Sequence, residues 1–241
     1  RPSGRAEALR AARIPALDEV IDELAASGRR VIFTMGKGGV GKTTVAAAVA
    51  LGLAKRGKKV HLTTTDPAAH LKFVLDEGCG VSMSRIDEAE ELKKYRDEVL
   101  DKARASGLGE SELDYIREDL RSPCTQEIAV FRAFAEVVEK ADDEIVVIDT
   151  APTGHTLLLL ESTQSYSREI ERAKGAVPEA VTRLLPRLKS AETEVLIVTL
   201  PEATPVYEAL RLEEDLRRAG IAAKWWIVNQ CLSGTDTTNP M

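Results

Sequence analysis

Five short stretches of the chain are β-rich, and all but 59–63 are almost wholly apolar: 31–35, 59–63, 145–148, 195–198 and 225–228. Runs without polar alternation are the pattern of strands covered on both faces. Helix-forming stretches lie between them, such as 44–56, which stops at Gly57 with basic residues in its last turn. Strands alternating with helices predict an α/β fold with a doubly wound, mostly parallel sheet. Ahead of the first strand, 1–13 reads as a polar linker and 14–24 as a short amphipathic helix ending near Gly28. A helical insertion, about 84–140, separates the second and third predicted strands. In it 86–100 carries Leu92, Tyr95 and Val99 on one stripe, and 110–120 carries Leu113, Ile116 and Leu120 on another. A further helix is expected over about 125–140. The expected organisation is therefore 1–28 as linker and leading helix and 29–241 as one α/β domain.

Composition narrows the classes. The 241 residues are 44% hydrophobic and 30% charged, and no apolar run approaches the roughly eighteen residues a membrane span needs. Thirty-three Lys and Arg against 39 Asp and Glu leave a formal charge of −6, which argues against a chain that coats nucleic acid. The 3 cysteines, Cys79, Cys124 and Cys231, form no C-x-x-C and no disulfide framework, as expected of a reducing cytoplasm.

The chemistry begins directly after the first strand. Gly36-Lys37-Gly38-Gly39-Val40-Gly41-Lys42-Thr43 fits G-x-x-x-x-G-K-[ST], the phosphate-loop (P-loop) pattern, between a strand and a helix. Its glycines let backbone N–H groups, those of Gly36, Gly38, Gly39, Gly41 and on to Thr44, approach a phosphate closely. The helix that follows aims its positive end at the same anion. Lys42 is expected on the β- and γ-phosphate oxygens and the Thr43 hydroxyl on Mg²⁺. Lys37 is a second lysine within the loop, and a loop of this K-G-G-x-G-K-T form resembles the deviant Walker A group of NTPases. That resemblance implies a lysine that contacts nucleotide across an interface between two such units. Two aspartates follow strands: Asp66 after the second and Asp149 after the third. Ligands of open parallel sheets sit at the carboxyl ends of the strands, so both carboxylates are expected to face the loop, on a metal or an attacking water.

Three further segments are more specific: Thr65-Asp66-Pro67-Ala68-Ala69-His70-Leu71, Asp149-Thr150-Ala151-Pro152-Thr153-Gly154-His155-Thr156 and Leu120-Arg121-Ser122-Pro123-Cys124-Thr125. With the loop, they resemble the ArsA family, the arsenite- and antimonite-stimulated ATPases that drive arsenical pumps, over about 15–238. The Arg121-Ser122-Pro123-Cys124 version looks like the second of that family's two homologous halves. The resemblance implies a chain cut short at its C-terminus. It implies ATP and Mg²⁺ as cofactors, with Lys42 and Lys37 on the phosphates. Thr43, Asp66 and Asp149 would serve the metal, Asp66 also the attacking water, Gly154 the γ-phosphate and Asn229 the adenine. Cys124, with His155 and Ser122, would form part of a metalloid site. A soft, three-coordinate As(III) or Sb(III) suits thiolate. One cysteine cannot complete such a site, so further sulfurs would come from a partner half.

The implied partners are a homologous N-terminal half or second copy, a membrane arsenite permease and an arsenic metallochaperone, with no nucleic acid. The implied location is cytoplasmic, peripheral to the inner face of the plasma membrane when bound to the permease. The alternative is the related ATPase that targets tail-anchored membrane proteins. That protein would want a Met-rich groove and a C-x-x-C clasp, whereas the chain has 3 Met, of which Met83 alone lies near the insertion. A partitioning or cell-division ATPase would want a basic face or a terminal membrane helix, and neither is read here.

Overall fold

The structure, a computed structural model, describes residues 14–65, 79–150 and 179–231. Its centre is a six-stranded sheet: β1 (Val31–Met35), β2 (Val60–Thr64), β3 (Val81–Arg85), β4 (Ile145–Asp149), β5 (Thr193–Thr199) and β6 (Trp225–Val228). The spatial order is β3-β2-β4-β1-β5-β6 and every pairing is parallel, as the strand–helix alternation predicts. The five β-rich runs are β1, β2, β4, β5 and β6. The sixth strand, β3, was not read from the sequence. It is an edge strand of composition Val-Ser-Met-Ser-Arg, half exposed, so it carries no apolar run to betray it. The helical insertion consequently starts after β3.

Helices cover both faces. On one face lie α1 (Leu17–Ala26) and α2 (Lys42–Lys55), packed on Ile32, Leu62, Val147, Leu196 and Val198. Three further helices form the insertion: α3 (Glu88–Ala105), α4 (Glu110–Asp119) and α5 (Pro123–Glu139). Of these α5 covers the opposite face, together with α6 (Glu179–Leu188) and α7 (Ala203–Arg218). The predicted stripes point inward: Leu113 and Leu120 are buried, and Leu92, Tyr95, Val99 and Ile116 are half-buried. Phe134 of α5 stacks on Phe33 of β1, ring centroids 5.8 Å apart. The sequence reading placed α1 after a linker; the helix is docked, with Val20, Ile21 and Leu24 buried and Arg56 reaching back to Asp22 at 2.6 Å.

The α2-facing rows of the central strands change character at one edge. Ile32 gives way to Thr34, Leu62 to Thr64 and Val147 to Asp149, and the register aligns all three: Thr34 and Thr64 both pair with Asp149. Side chains alternate across a strand, so these polar groups share the face and the edge on which α2 begins. Strands β1 and β4 are neighbours, and the described helices next along the chain, α2 after β1 and α6 after β4, lie on opposite faces of the sheet. That is the switch point at which open α/β sheets bind ligands.

Candidate active site

The phosphate loop joins β1 to α2 at this edge. Its first glycine, Gly36, is buried with φ +151°, and a Cβ there would collide with the Val198 carbonyl oxygen of β5. Gly41, the residue before α2, sits at φ +92°, and a Cβ there would overlap the Asn229 side-chain amide at the end of β6. Both positions therefore need glycine for two reasons, the backbone conformation and the closeness of a neighbouring strand end. Gly38 and Gly39 face solvent.

Gly41 sits at the N-cap of α2 and, having no side chain, supplies no side-chain cap to that helix. Such a terminus, with a positive dipole end, suits an anion. Lys42 is 95% buried, and its Nζ bends back to donate to the Lys37 carbonyl at 3.0 Å. Thr44 is exposed in the first turn. Thr43 turns the other way and donates from Oγ1 to Asp149 Oδ2 at 2.7 Å. Asp149 is wholly buried, and Thr64 Oγ1 donates to the same Oδ2 at 3.1 Å. Hydroxyl and carboxylate oxygens held side by side suit a hard dication such as Mg²⁺, which keeps waters and takes phosphate oxygens for the rest of its shell. Among the described residues no cluster of three or more His, Cys, Asp or Glu could hold a metal by itself.

Two participants had no sequence signal. Thr64 is one of three consecutive threonines, and only the β2–β4 register singles it out. Glu208 of α7 pairs with Lys37 at 3.2 Å, both side chains about two-fifths exposed. Nothing local in the sequence links a loop lysine to a glutamate so far along the chain. Asn229 donates from Nδ2 to the Val40 carbonyl at 3.0 Å, so it lies against the loop.

The expected metalloid residues lie on another element. Ser122 caps the N-terminus of α5, its hydroxyl 3.2 Å from that of Thr125, and Cys124 follows in the first turn of that helix. The chain then runs from the end of α5 into the start of β4, so the helix is antiparallel to that strand. At 17 residues α5 rises about 25 Å, whereas the five residues of β4 span about 17 Å. Ser122 and Cys124 stand at the end of α5 that is farther along the chain from β4. Asp66, Gly154 and His155 lie outside the described residues. Of the other cysteines, Cys79 packs at the margin of the α2-side core, and the Cys231 thiol donates to the Val228 carbonyl at 3.4 Å. No helix among the described residues is long and apolar enough to cross a membrane.

The chain is 49% identical, over 95% of its length, to an arsenical pump-driving ATPase of Escherichia coli. It is 49% identical over 93% to one of Acidiphilium multivorum. At 27% identity it also matches the ATPase GET3 of Podospora anserina over 90% of its length and 77% of that protein. The chain spans 39% of the length of each of the two arsenical pump-driving relatives. The resemblance carried by the motifs is borne out by a family model described as anion-transporting ATPase, which matches residues 29–192. A match of that extent, over the loop and the strand that bears Asp149, makes the chain a member of the anion-transporting ATPase family.

Proposed function

We propose that this chain is one half of a cytoplasmic two-site ATPase that hydrolyses MgATP in response to As(III) or Sb(III) and energises arsenite extrusion by a membrane permease. The observation that carries this reading is the 2.7 Å bond between Thr43 and Asp149, which joins the phosphate loop to the strand-end carboxylate in a chain of this family. The loop N–H groups and Lys42 bind the phosphates. Thr43 and Asp149 hold Mg²⁺, which when bound offsets the charge that builds up on the transferred phosphoryl group. Asp66 orients the attacking water and Gly154 contacts the γ-phosphate. Lys37 exchanges Glu208 for nucleotide at the interface with the other half. Cys124, with Ser122 and His155, contributes one part of a metalloid site that the other half completes. Metalloid binding draws the halves together, and the Asp149–His155 segment carries the change to the phosphate site.

The more distant likeness to GET3 has less support. The described helices of the insertion turn Glu, Asp, Lys and Arg outward, as in the ion pairs Lys94–Glu91, Lys102–Glu98 and Arg117–Asp114. An apolar groove for a membrane segment would want the reverse.

The test is ATP turnover with and without Sb(III), with the other half supplied in trans. Stimulation of at least about tenfold is expected, and Cys124→Ala should abolish it while leaving basal turnover within about twofold, since a soft ion without its thiolate loses its site. Undiminished stimulation in the variant would remove Cys124 from the metalloid site.

A further inference from the structure

We propose that Asn229 is a positioning residue for the phosphate loop: it turns the Val40–Gly41 peptide so that the Gly41 N–H points at the bound phosphate. The inference deepens the nucleotide-site reading above and rests on it. Asn229 is held from three directions. Its backbone N–H donates to the Thr199 carbonyl at 2.8 Å, which continues the β5–β6 ladder by one residue. Its Oδ1 accepts the Gln230 N–H at 2.9 Å, and Gln230 has a φ of +56°, the one non-glycine residue with positive φ among those described. An unusual backbone conformation at that point is stabilised by the same side chain. Its Nδ2 then donates to the Val40 carbonyl at 3.0 Å.

The consequence follows from the peptide group. A trans peptide is planar, and its C=O and N–H point in opposite directions. Drawing the Val40 carbonyl toward β6 aims the Gly41 N–H away from β6, to the concave side of the loop where a phosphate would sit. Val40 itself is 99% buried, so its side chain anchors the same peptide from below. The glycine at 41 becomes intelligible: a Cβ there would overlap the Asn229 amide and push the brace out. A carboxamide has two N–H donors and two acceptor lone pairs. One donor and one lone pair serve the loop and the turn, so a contact to a base remains compatible with the brace.

A base-free ligand separates the two roles. Binding of Mg·ATP and of Mg·tripolyphosphate to the 241-residue chain is measured by calorimetry for the wild type, Asn229→Ala and Asn229→Asp. A brace predicts that Asn229→Ala weakens tripolyphosphate about five- to tenfold, as for one lost hydrogen bond that orders a donor, and ATP by at least the same factor. Asn229→Asp keeps the acceptor for Gln230 but sets a carboxylate oxygen against the Val40 carbonyl, and should weaken both ligands at least as much. The backbone amide resonance of Gly41 should shift on adding tripolyphosphate to the wild type, and shift less in the variants. Tripolyphosphate affinity unchanged within twofold, in variants whose ligand-free melting matches the wild type, would overturn the proposal, whether or not ATP binding falls. A wild type that binds neither ligand would instead overturn the nucleotide site on which it rests.

Discussion

His61 shows how much one side chain can settle. It is 97% buried on β2, with Nδ1 2.8 Å from Ser82 Oγ and Nε2 2.8 Å from Ser84 Oγ, both on the edge strand β3. The Lys140 ammonium stands 3.2 Å from Nε2. An ammonium can only donate, so Nε2 accepts and the ring hydrogen is on Nδ1. Burial, and next the Lys140 charge, hold the imidazole below its ordinary pKa of 6.5, with Glu144 opposing. The unfolded chain therefore takes up this proton more readily than the folded one, and folding stability falls as pH drops below about 6.5. For a single proton the slope is at most about 1.4 kcal/mol per pH unit. Urea midpoints measured from pH 8 to 5 should show this decline in the wild type and a shallower one in His61→Gln; parallel curves would refute it.

At the scale of elements, the decisive contact is that of α5 with the sheet. Phe134 is 98% buried and its ring stacks on Phe33, directly below the strand that leads into the phosphate loop. Phe134→Ala leaves a cavity at that junction and should cost about 3–5 kcal/mol in chemical unfolding. A loss under about 1 kcal/mol would mean that α5 is seated by its other contacts. The helices α3 and α4 were legible from their stripes, and five of the strands from their β-rich runs, although β6 is a half-exposed edge strand. The edge strand β3 was not. One half-exposed strand of serines reads like a loop, and only pairing with β2 gives its serines a purpose, as partners of His61 and Thr63. The loop glycines were legible by type but not by cause, because their crowding comes from β5 and β6.

At the scale of the whole molecule, the proposed two-half ATPase requires Lys37 to leave its own chain's Glu208. An ion pair with both members about two-fifths exposed contributes about 0–1 kcal/mol, so the exchange of partners is cheap. Glu208→Gln should leave stability within about 0.5 kcal/mol of the wild type. It should raise metalloid-stimulated turnover with the other half present by about two- to fivefold at low salt, and by less as salt screens the pair. Turnover that does not change with the substitution would show that Glu208 does not compete for Lys37.

The sequence by itself determined the fold class, the phosphate loop and the family, because apolar runs, helical stripes and a contiguous glycine-lysine-threonine motif are local signals. It also singled out Asp149 as a strand-end carboxylate. Tertiary structure alone decided which groups meet at that edge: Thr64 sharing Asp149 with Thr43, Glu208 holding Lys37, and Asn229 bracing Val40. Each of these joins residues far apart in the chain through strand register or a crossover helix, and register is set by burial across the whole sheet rather than by any local spacing.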